Sequence, residues 1–391
     1  VTVAVRVTAD AARRIRAGHP WVFDRSVVAV RPSDAAVGAL AAVFDPDRRF
    51  AGIGLYDPGS PIRVRVLAAG APTVVDDAFL AERVAAAVGR RGALAADART
   101  TAYRLVHGEN DGLPGLVVDR YEDLAVVHLD TAAWQPHLDA VVRALVDCTG
   151  VHTVLRRGSR HSGVGAPVAI VGTLPDGPIT YRENGLRLVA DVVAGQKTGA
   201  FLDQRDNRAR VRELSGDAQV LDVFCCTGGF GLHAAAGGAR SVLSVDLAPA
   251  AVVAAGAAMT ANDDLAAVRA CRHETRVGDA FAVLDALRRE RRQFDVVVID
   301  PPSFANKATA VPAALRAYAR LAVAGRSVTV PGGVLVLASC SSRVDAATFE
   351  QTVSAATGDT LEIVERTAAP DDHPVGFPEG AYLKALFTRR R

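Results

Sequence analysis

The sequence predicts an α/β protein: an open, doubly wound sheet of seven strands fills the second half of the chain, after a small all-β domain and a small α/β domain. Three observations predict it. The stretch from Gln219 to Asp246, QVLDVFCCTGGFGLHAAAGGARSVLSVD, reads as a strand, a glycine turn, a short helix and a second strand ending in a carboxylate. Seven strand-like runs follow one another from Val220 onward with helices between the first six, which implies crossovers and a mostly parallel sheet. Residues 1 to about 70 instead carry short apolar or alternating runs cut by Pro and Gly, the spacing of a small β-barrel or sandwich.

The chain has 391 residues, enough for two or three domains, and the boundaries are expected at 1–72, 73–185 and 186–391. Strands are expected at Val3 to Val7, Ala39 to Phe44, Ile53 to Tyr56 and Ile62 to Leu67. Between them lies RRIRAGHPWVF, with Arg16, His19 and Trp21; basic groups beside rings suit RNA, and a core role for Trp21 and Phe23 is equally open. After the linker Gly70-Ala71-Pro72, Asp76 or Asp77 can cap a helix from Ala78 to Arg91. Strands Tyr103 to Val106, Leu116 to Asp119 and Leu124 to Leu129 precede an amphipathic helix from Trp134 to Asp147 and a basic loop, Gly158 to Gly165. A hairpin of Leu186 to Val193 with Ala200 to Leu202 is expected around GQKTG, then a helix from about Gln204 to Leu214. The seven strands are Val220 to Phe224, Ser241 to Val245, Thr275 to Val277, Phe294 to Ile299, Val334 to Ala338, Leu361 to Arg366 and Tyr382 to Thr388, the last entering antiparallel.

Bulk properties set limits on function. Net charge is +2, with the first 72 residues the most basic, a weak footprint for phosphate contact. No apolar run reaches roughly 18 residues and no signal sequence is spelled, so a cytoplasmic protein with no membrane partner is expected. Five cysteines form no C-x-x-C pair, which argues against a zinc site or a disulfide framework. Arginines number 42 and lysines three, so Lys197, Lys307 and Lys384 are candidates for places where only a compact ammonium fits.

The glycine turn indicates the ligand. Asp222 at mid-strand followed by Thr227-Gly228-Gly229-Phe230-Gly231 is not the G-x-G-x-x-G of a pyrophosphate cradle. An acid before the turn instead suits a cationic centre such as that of S-adenosylmethionine, and Asp246 can accept from a ribose diol. Three further features fall where strands meet loops. FDVVVIDPPSF ends its strand in Asp300, stiffens the exit with Pro301 and offers Phe304 to a flat ring. VLVLASCSS ends in Cys340, either packing material or a nucleophile. DHPVGFPEGAYLK carries His373 and Glu379, either a general base or an exposed charge.

Taken together, GHPWVF, NDGLPGLVVDRY, GQKTGAFLDQRDNR, DVFCCTGGFG, SVD, FDVVVIDPPSF, SCS and HPVGFPEGAYLK resemble, in order and over nearly the whole chain, the bacterial 23S rRNA cytosine-5 methyltransferases. The resemblance implies an RNA-binding PUA domain as a small β-barrel, a small α/β central domain, and a class I (Rossmann-like) methyltransferase domain with a seven-stranded sheet. It implies S-adenosylmethionine as cofactor, 23S rRNA as partner, and a homodimer as a candidate assembly. Asp222, Phe224, Thr227, Gly228, Gly229, Asp246, Asp279 and Asp300 would line the cofactor pocket, with Lys197, Asp203 and Gln204 closing over it. Asp300, Pro301, Phe304 and Lys307 would hold the target base, Arg16, His19 and Trp21 would touch RNA, Cys340 would be the nucleophile and Glu379 the base. Ser303 stands where another cytosine-5 family carries a second cysteine, and Cys225-Cys226 replaces the more usual pair before Thr-Gly-Gly, which makes Cys226 a rival thiol. Two other readings stay open: methylation of a ring or exocyclic nitrogen through the Asp-Pro-Pro loop, which needs no thiol, and a non-catalytic rRNA-binding assembly factor, which binds no cofactor.

Overall fold

The computed structural model describes residues 2–158, 164–195, 198–305 and 307–391. It divides into two compact units, one of Val1–Tyr181, Ala190–Leu202 and Asp371–Phe377, the other of Arg182–Val189, Asp203–Pro370 and Pro378–Arg391.

The first unit contains two sheets. A six-stranded sheet runs in the order Trp21–Phe23, Ile62–Ala69, Phe50–Tyr56, Leu40–Phe44, Val3–Val7, Val27–Arg31. Val3, Val5 and Val7 alternate inward with period two and meet Ala11, Ala12 and Ile15 of the helix Ala9–Arg16, which Thr8 caps. That helix and the strands Trp21–Phe23 and Val27–Arg31 add to the four strands expected. The strands approach closely at Gly54, where a Cβ would lie 2.0 Å from the Arg65 carbonyl oxygen.

The second sheet, in the order Val168–Val171, Thr153–Gly158, Leu124–Leu129, Leu116–Tyr121, Ala102–His107, supports the helices Asp77–Gly89 and Leu138–Thr149 over a core that includes Trp134 and Leu105. Asp76 caps the first of these helices by accepting from the Phe79 amide at 2.9 Å.

Buried hydrogen bonds, set beside the Arg104–Asp119 ion pair, fasten two later segments to this unit. Asp119 accepts two bonds from Arg104, at 2.8 and 2.9 Å, and a third from the Thr198 hydroxyl. Burial alone would raise the Asp119 carboxyl, and the guanidinium overrides it and holds the group below the usual carboxylate range. Asp372 accepts from the Arg104 amide at 2.9 Å, and its carbonyl accepts from Arg91 at 2.7 Å. These bonds replace the hairpin expected around GQKTG. The Ala200 amide donates to the Tyr121 hydroxyl at 3.1 Å, and Leu186–Ala190 pairs instead with Ile179–Glu183. The turn between those strands is Asn184-Gly185, with φ of 52° and 83°, the positive pair a two-residue hairpin needs.

The second unit is built on seven strands: β1 Gln219–Val223, β2 Ser241–Asp246, β3 Arg272–Val277, β4 Phe294–Ile299, β5 Thr329–Ser339, β6 Leu361–Ala368 and β7 Lys384–Arg390. Their order is β3-β2-β1-β4-β5-β7-β6, and only β7 is antiparallel to its neighbours, as the sequence predicts. The helices that matter for the site are α1 Arg205–Leu214, α2 Gly229–Ala236, α3 Pro249–Thr260, α4 Ala280–Arg289, α5 Val311–Val328 and α6 Ala346–Thr357. The inner strands are apolar runs buried on both faces, such as Val296 to Ile299, which is the pattern parallel sheets require.

Candidate active site

The sheet order reverses beside β1, so the carboxyl ends of β1, β2, β4 and β5 border one crevice, the place where open α/β sheets bind ligands. Between β1 and α2 the backbone takes positive φ at Phe224 (64°), Cys226 (49°) and Gly228 (77°). Two of the three are not glycine, and such strain persists only where surrounding bonds impose it. Here the Cys225 amide donates to the Val245 carbonyl at 3.0 Å, the Gly228 amide to the Cys225 carbonyl at 2.7 Å, and the Cys226 amide to Asp246 at 3.0 Å. Gly228 has a second constraint: a Cβ there would sit 2.7 Å from that of Ala255 on α3.

Three expected carboxylates converge on this edge. Asp246 ends β2 half-exposed, with its second oxygen accepting from the Ala248 amide at 2.9 Å. Asp222 lies behind the turn, fully buried, with Oδ2 accepting from the Gly231 amide at 2.9 Å. It is therefore a support for the glycine turn, and not an exposed anion facing a ligand. Burial raises the Asp222 carboxyl to about 7 against the pull of that amide, and the charges of Asp300 and Asp246 add to the rise. Asp300 follows β4 half-buried, its amide 3.4 Å from the Val223 carbonyl. Asp279 is exposed and caps α4, accepting from the Ala282 amide at 3.1 Å. Thr227 and Gly229 line the turn half-buried, and Phe224 packs against the sheet core. Asp203 and Gln204, at the start of α1, are buried: Asp203 accepts from the Tyr382 hydroxyl at 2.7 Å and Gln204 from Asn207 at 2.6 Å. Lys197 lies outside the described residues, as do Arg160 and His161 of the basic loop.

On the other side of β1, adjacent β4 and β5 end in the Asp300-Pro301-Pro302-Ser303-Phe304 loop and in Ser339-Cys340-Ser341. Cys340 is half-buried, and its sulfur lies 3.9 Å from the Pro301 carbonyl oxygen. A set of hydroxyls fastens the two loops together. Ser341 Oγ is 3.2 Å from Ser303 Oγ and 2.8 Å from the Tyr318 hydroxyl of α5, and Ser339 donates to Tyr318 at 2.9 Å. The ring of Phe304 packs at 5.3 Å from that of Tyr318, so one side of it is committed. Lys384, the first residue of β7 and the register partner of Ser339, is buried and donates to the carbonyls of Ser341 at 2.6 Å, Tyr382 at 3.0 Å and Val344. Lys307 is exposed after the loop, and Glu379 is exposed in a short turn. Sequence reading missed Tyr318, whose position on an amphipathic helix marks it only as core, and the serines, although S-C-S itself is visible.

The rival thiol, Cys226, is half-buried within the turn. Burial raises Cys226 above its ordinary value, the Thr227 amide opposes this, and Asp246 and Asp222 raise it further. Burial also pushes up Cys225.

In the first unit, Arg16 donates to Asp45 at 2.9 Å and to the Phe50 carbonyl at 3.0 Å. Trp21 is half-buried and donates to Glu109 at 2.7 Å, its ring 5.8 Å from His19 and 5.1 Å from Phe377. Trp21 is thus anchored within the unit by one edge and one hydrogen bond while its ring stays half-buried. His373, the other candidate base, is buried 3.2 Å from Asp372, with its ring 5.1 Å from that of His107.

A seven-stranded sheet with this order and a glycine turn closed by a strand-end acid define a Rossmann-like α/β domain of the class that binds ligands at its carboxyl edge, joined to a second unit that carries an all-β sheet. Comparison with known proteins agrees. Residues 123–389 match the family described as S-adenosylmethionine-dependent methyltransferase, and residues 5–69 match a PUA-like domain. A "Ribosomal RNA large subunit methyltransferase" of Deinococcus radiodurans is 42% identical over 98% of this chain and 96% of its own length. A "Ribosomal RNA large subunit methyltransferase I" of Photobacterium profundum is 34% identical over 99% of both. A methyltransferase crystallised with SAH superposes with a TM-score of 0.85 over 99% of both chains at 21% identity, a likeness of fold. The chain belongs to the family of S-adenosylmethionine-dependent ribosomal RNA large subunit methyltransferases.

The residues present fit that cofactor. Asp246, at the end of β2 beside the turn, keeps lone pairs beyond the two amides it serves.

Proposed function

We propose that the protein methylates carbon 5 of a cytosine in 23S rRNA through a covalent bond from Cys340 to carbon 6 of the ring. The observation that carries this reading is the half-buried Cys340 at the mouth of the sheet, beside the Asp300-Pro301-Pro302 loop. The domain assignment proposed with it is PUA-like RNA binding by 1–72, a central α/β domain over 73–185 and the methyltransferase domain over 186–391.

Carbon 5 of an aromatic cytosine is a poor nucleophile. Addition of the Cys340 thiolate to carbon 6 breaks the ring's aromaticity and makes carbon 5 an enamine carbon. Asp300, in protonated form, donates to the ring and takes up the charge that develops there. S-adenosylmethionine, when bound, supplies an electrophilic methyl group on a sulfonium. Asp246, Asp279 and the Thr227-Gly228-Gly229 turn hold the donor, with Asp222 bracing the turn from behind and Asp203, Gln204 and Phe224 around it. Phe304, Pro301 and Lys307 hold the flipped base, whose unstacking costs a few kcal/mol and favours loops over perfect duplex. After transfer, Glu379 removes the proton on carbon 5, the electron pair re-forms the ring double bond, and the carbon–sulfur bond breaks to return the thiolate. The products are 5-methylcytosine, S-adenosylhomocysteine and the proton on the base.

An RNA carrying 5-fluorocytosine at the target lacks the proton that must leave, so it should trap a covalent complex stable on a denaturing gel. Cys340→Ala should abolish the complex. Complex formation by Cys340→Ala, or its loss in Cys226→Ser, would overturn the assignment of the nucleophile.

A further inference from the structure

We propose that Lys384 is a positioning residue: its buried ammonium locks the Ser339–Val344 turn in place and holds the Cys340 sulfur in the thiolate form. This rests on the reading of Cys340 as the nucleophile. A lysine ammonium has three N–H donors and no acceptor. Lys384 has three carbonyl partners, those of Ser341, Val344 and Tyr382, which are acceptors only. A neutral amine has two N–H groups and would turn its lone pair toward the third carbonyl, so this cage selects the protonated form. The cage also explains why lysine stands here in a chain with 42 arginines: three converging carbonyls suit a compact tetrahedral head and not a planar fork.

Carbonyls satisfy the N–H groups and leave the net charge unbalanced. Among the described residues no carboxylate lies within ion-pair distance of Lys384, and the nearby Asp345 accepts from the Thr348 amide at 2.7 Å as the cap of α6. Among the described residues, Lys384 on β7 and Tyr318 on α5 bond the residues flanking Cys340, the sulfur itself lies 3.9 Å from the carbonyl oxygen of Pro301, which Asp300 precedes, and Arg343 is exposed farther along the loop. Burial raises Tyr318, which keeps it neutral, so Lys384 is the buried cation available to a sulfur anion. Burial lowers Lys384 to about 8, and the charges of Cys340 and Asp345 oppose that fall.

The test is the pH dependence of iodoacetamide alkylation, read by mass spectrometry on the Cys340 peptide of the full chain, for wild type, Lys384→Met and Lys384→Arg. In the wild type the alkylation midpoint should lie below the ordinary thiol value of ~8.5. Lys384→Met should slow Cys340 alkylation at pH 7 by about tenfold or more, as expected when an adjacent opposite charge is removed. Lys384→Arg should restore part of it, and the exposed Cys148 should react equally in all three. An unchanged midpoint in Lys384→Met overturns the proposal. Protection of the buried Cys225 reports that a variant is folded, and if Lys384→Met is not, the wild-type midpoint decides: a value at or above ~8.5 overturns the proposal by itself. Alkylation needs neither RNA nor cofactor, so methylation by Cys340→Ala would sink the proposed function while leaving this titration standing.

Discussion

Replacing Asp222 with asparagine should make the methyltransferase unit more stable relative to wild type as pH rises from 5 to 8. The folded protein raises this carboxyl from its unfolded value of 3.8 to about 7. The native state therefore binds a proton that the unfolded chain has released, and stability falls as pH rises between those two values. At pH 5 the native group is still protonated, and by pH 8 it is mostly ionised within the core. One pH unit of this linkage corresponds to about 1.4 kcal/mol, so the interval from pH 5 to 8 is worth about 2–3 kcal/mol. Asparagine keeps an oxygen for the Gly231 amide and carries no charge at any pH. Tryptophan fluorescence is the wrong probe, because Trp21 and Trp134 both lie in the other unit. Native-state hydrogen exchange on peptides spanning β1 and α2 reads the correct region. The variant should gain over wild type between pH 5 and 8, and a difference that does not change with pH would refute the argument.

Asp246→Ala should weaken S-adenosylmethionine binding by calorimetry about tenfold to a hundredfold, as loss of charged hydrogen bonds worth about 1.5–3 kcal/mol requires. Gly228→Ala forces a Cβ against Ala255 and a side chain into positive φ, so it should destabilise the same exchange-monitored region by about 1–3 kcal/mol and reduce cofactor binding. Cys226→Ser should retain methyl transfer within about twofold, and a loss like that of Cys340→Ala would transfer the nucleophile to Cys226.

The inner strands β1, β2, β4 and β5 were legible because each carries a buried apolar run, the edge strands β3 and β6 are polar or alternating, and the antiparallel entry of β7 follows from the missing helix before it. The ends of β1, β2, β4 and β5 were legible for a related reason: Asp246, Asp300 and Cys340 are polar residues that end buried runs. The role of Asp222 was not, because spacing places a carboxylate near the turn without saying which way it faces. Long-range fastening was equally invisible. Nothing local in GQKTG announces that Thr198 bonds Asp119, so by sequence the segment resembles half of a hairpin, although the true turn, Asn184-Gly185, is spelled nearby. The helix Ala9–Arg16 escaped because only Ala11, Ala12 and Ile15 face its core and its remaining surface is largely arginine. Lys384 stood out by composition alone, and its three carbonyl partners come from two separate loops.

The most direct measurement is methyl transfer to unmodified 23S rRNA with labelled S-adenosylmethionine, followed by digestion to nucleosides. The account predicts label in 5-methylcytosine alone with the wild-type protein, and none with Cys340→Ala. Label in an N-methylated nucleoside, or transfer by the Cys340→Ala protein, would contradict it.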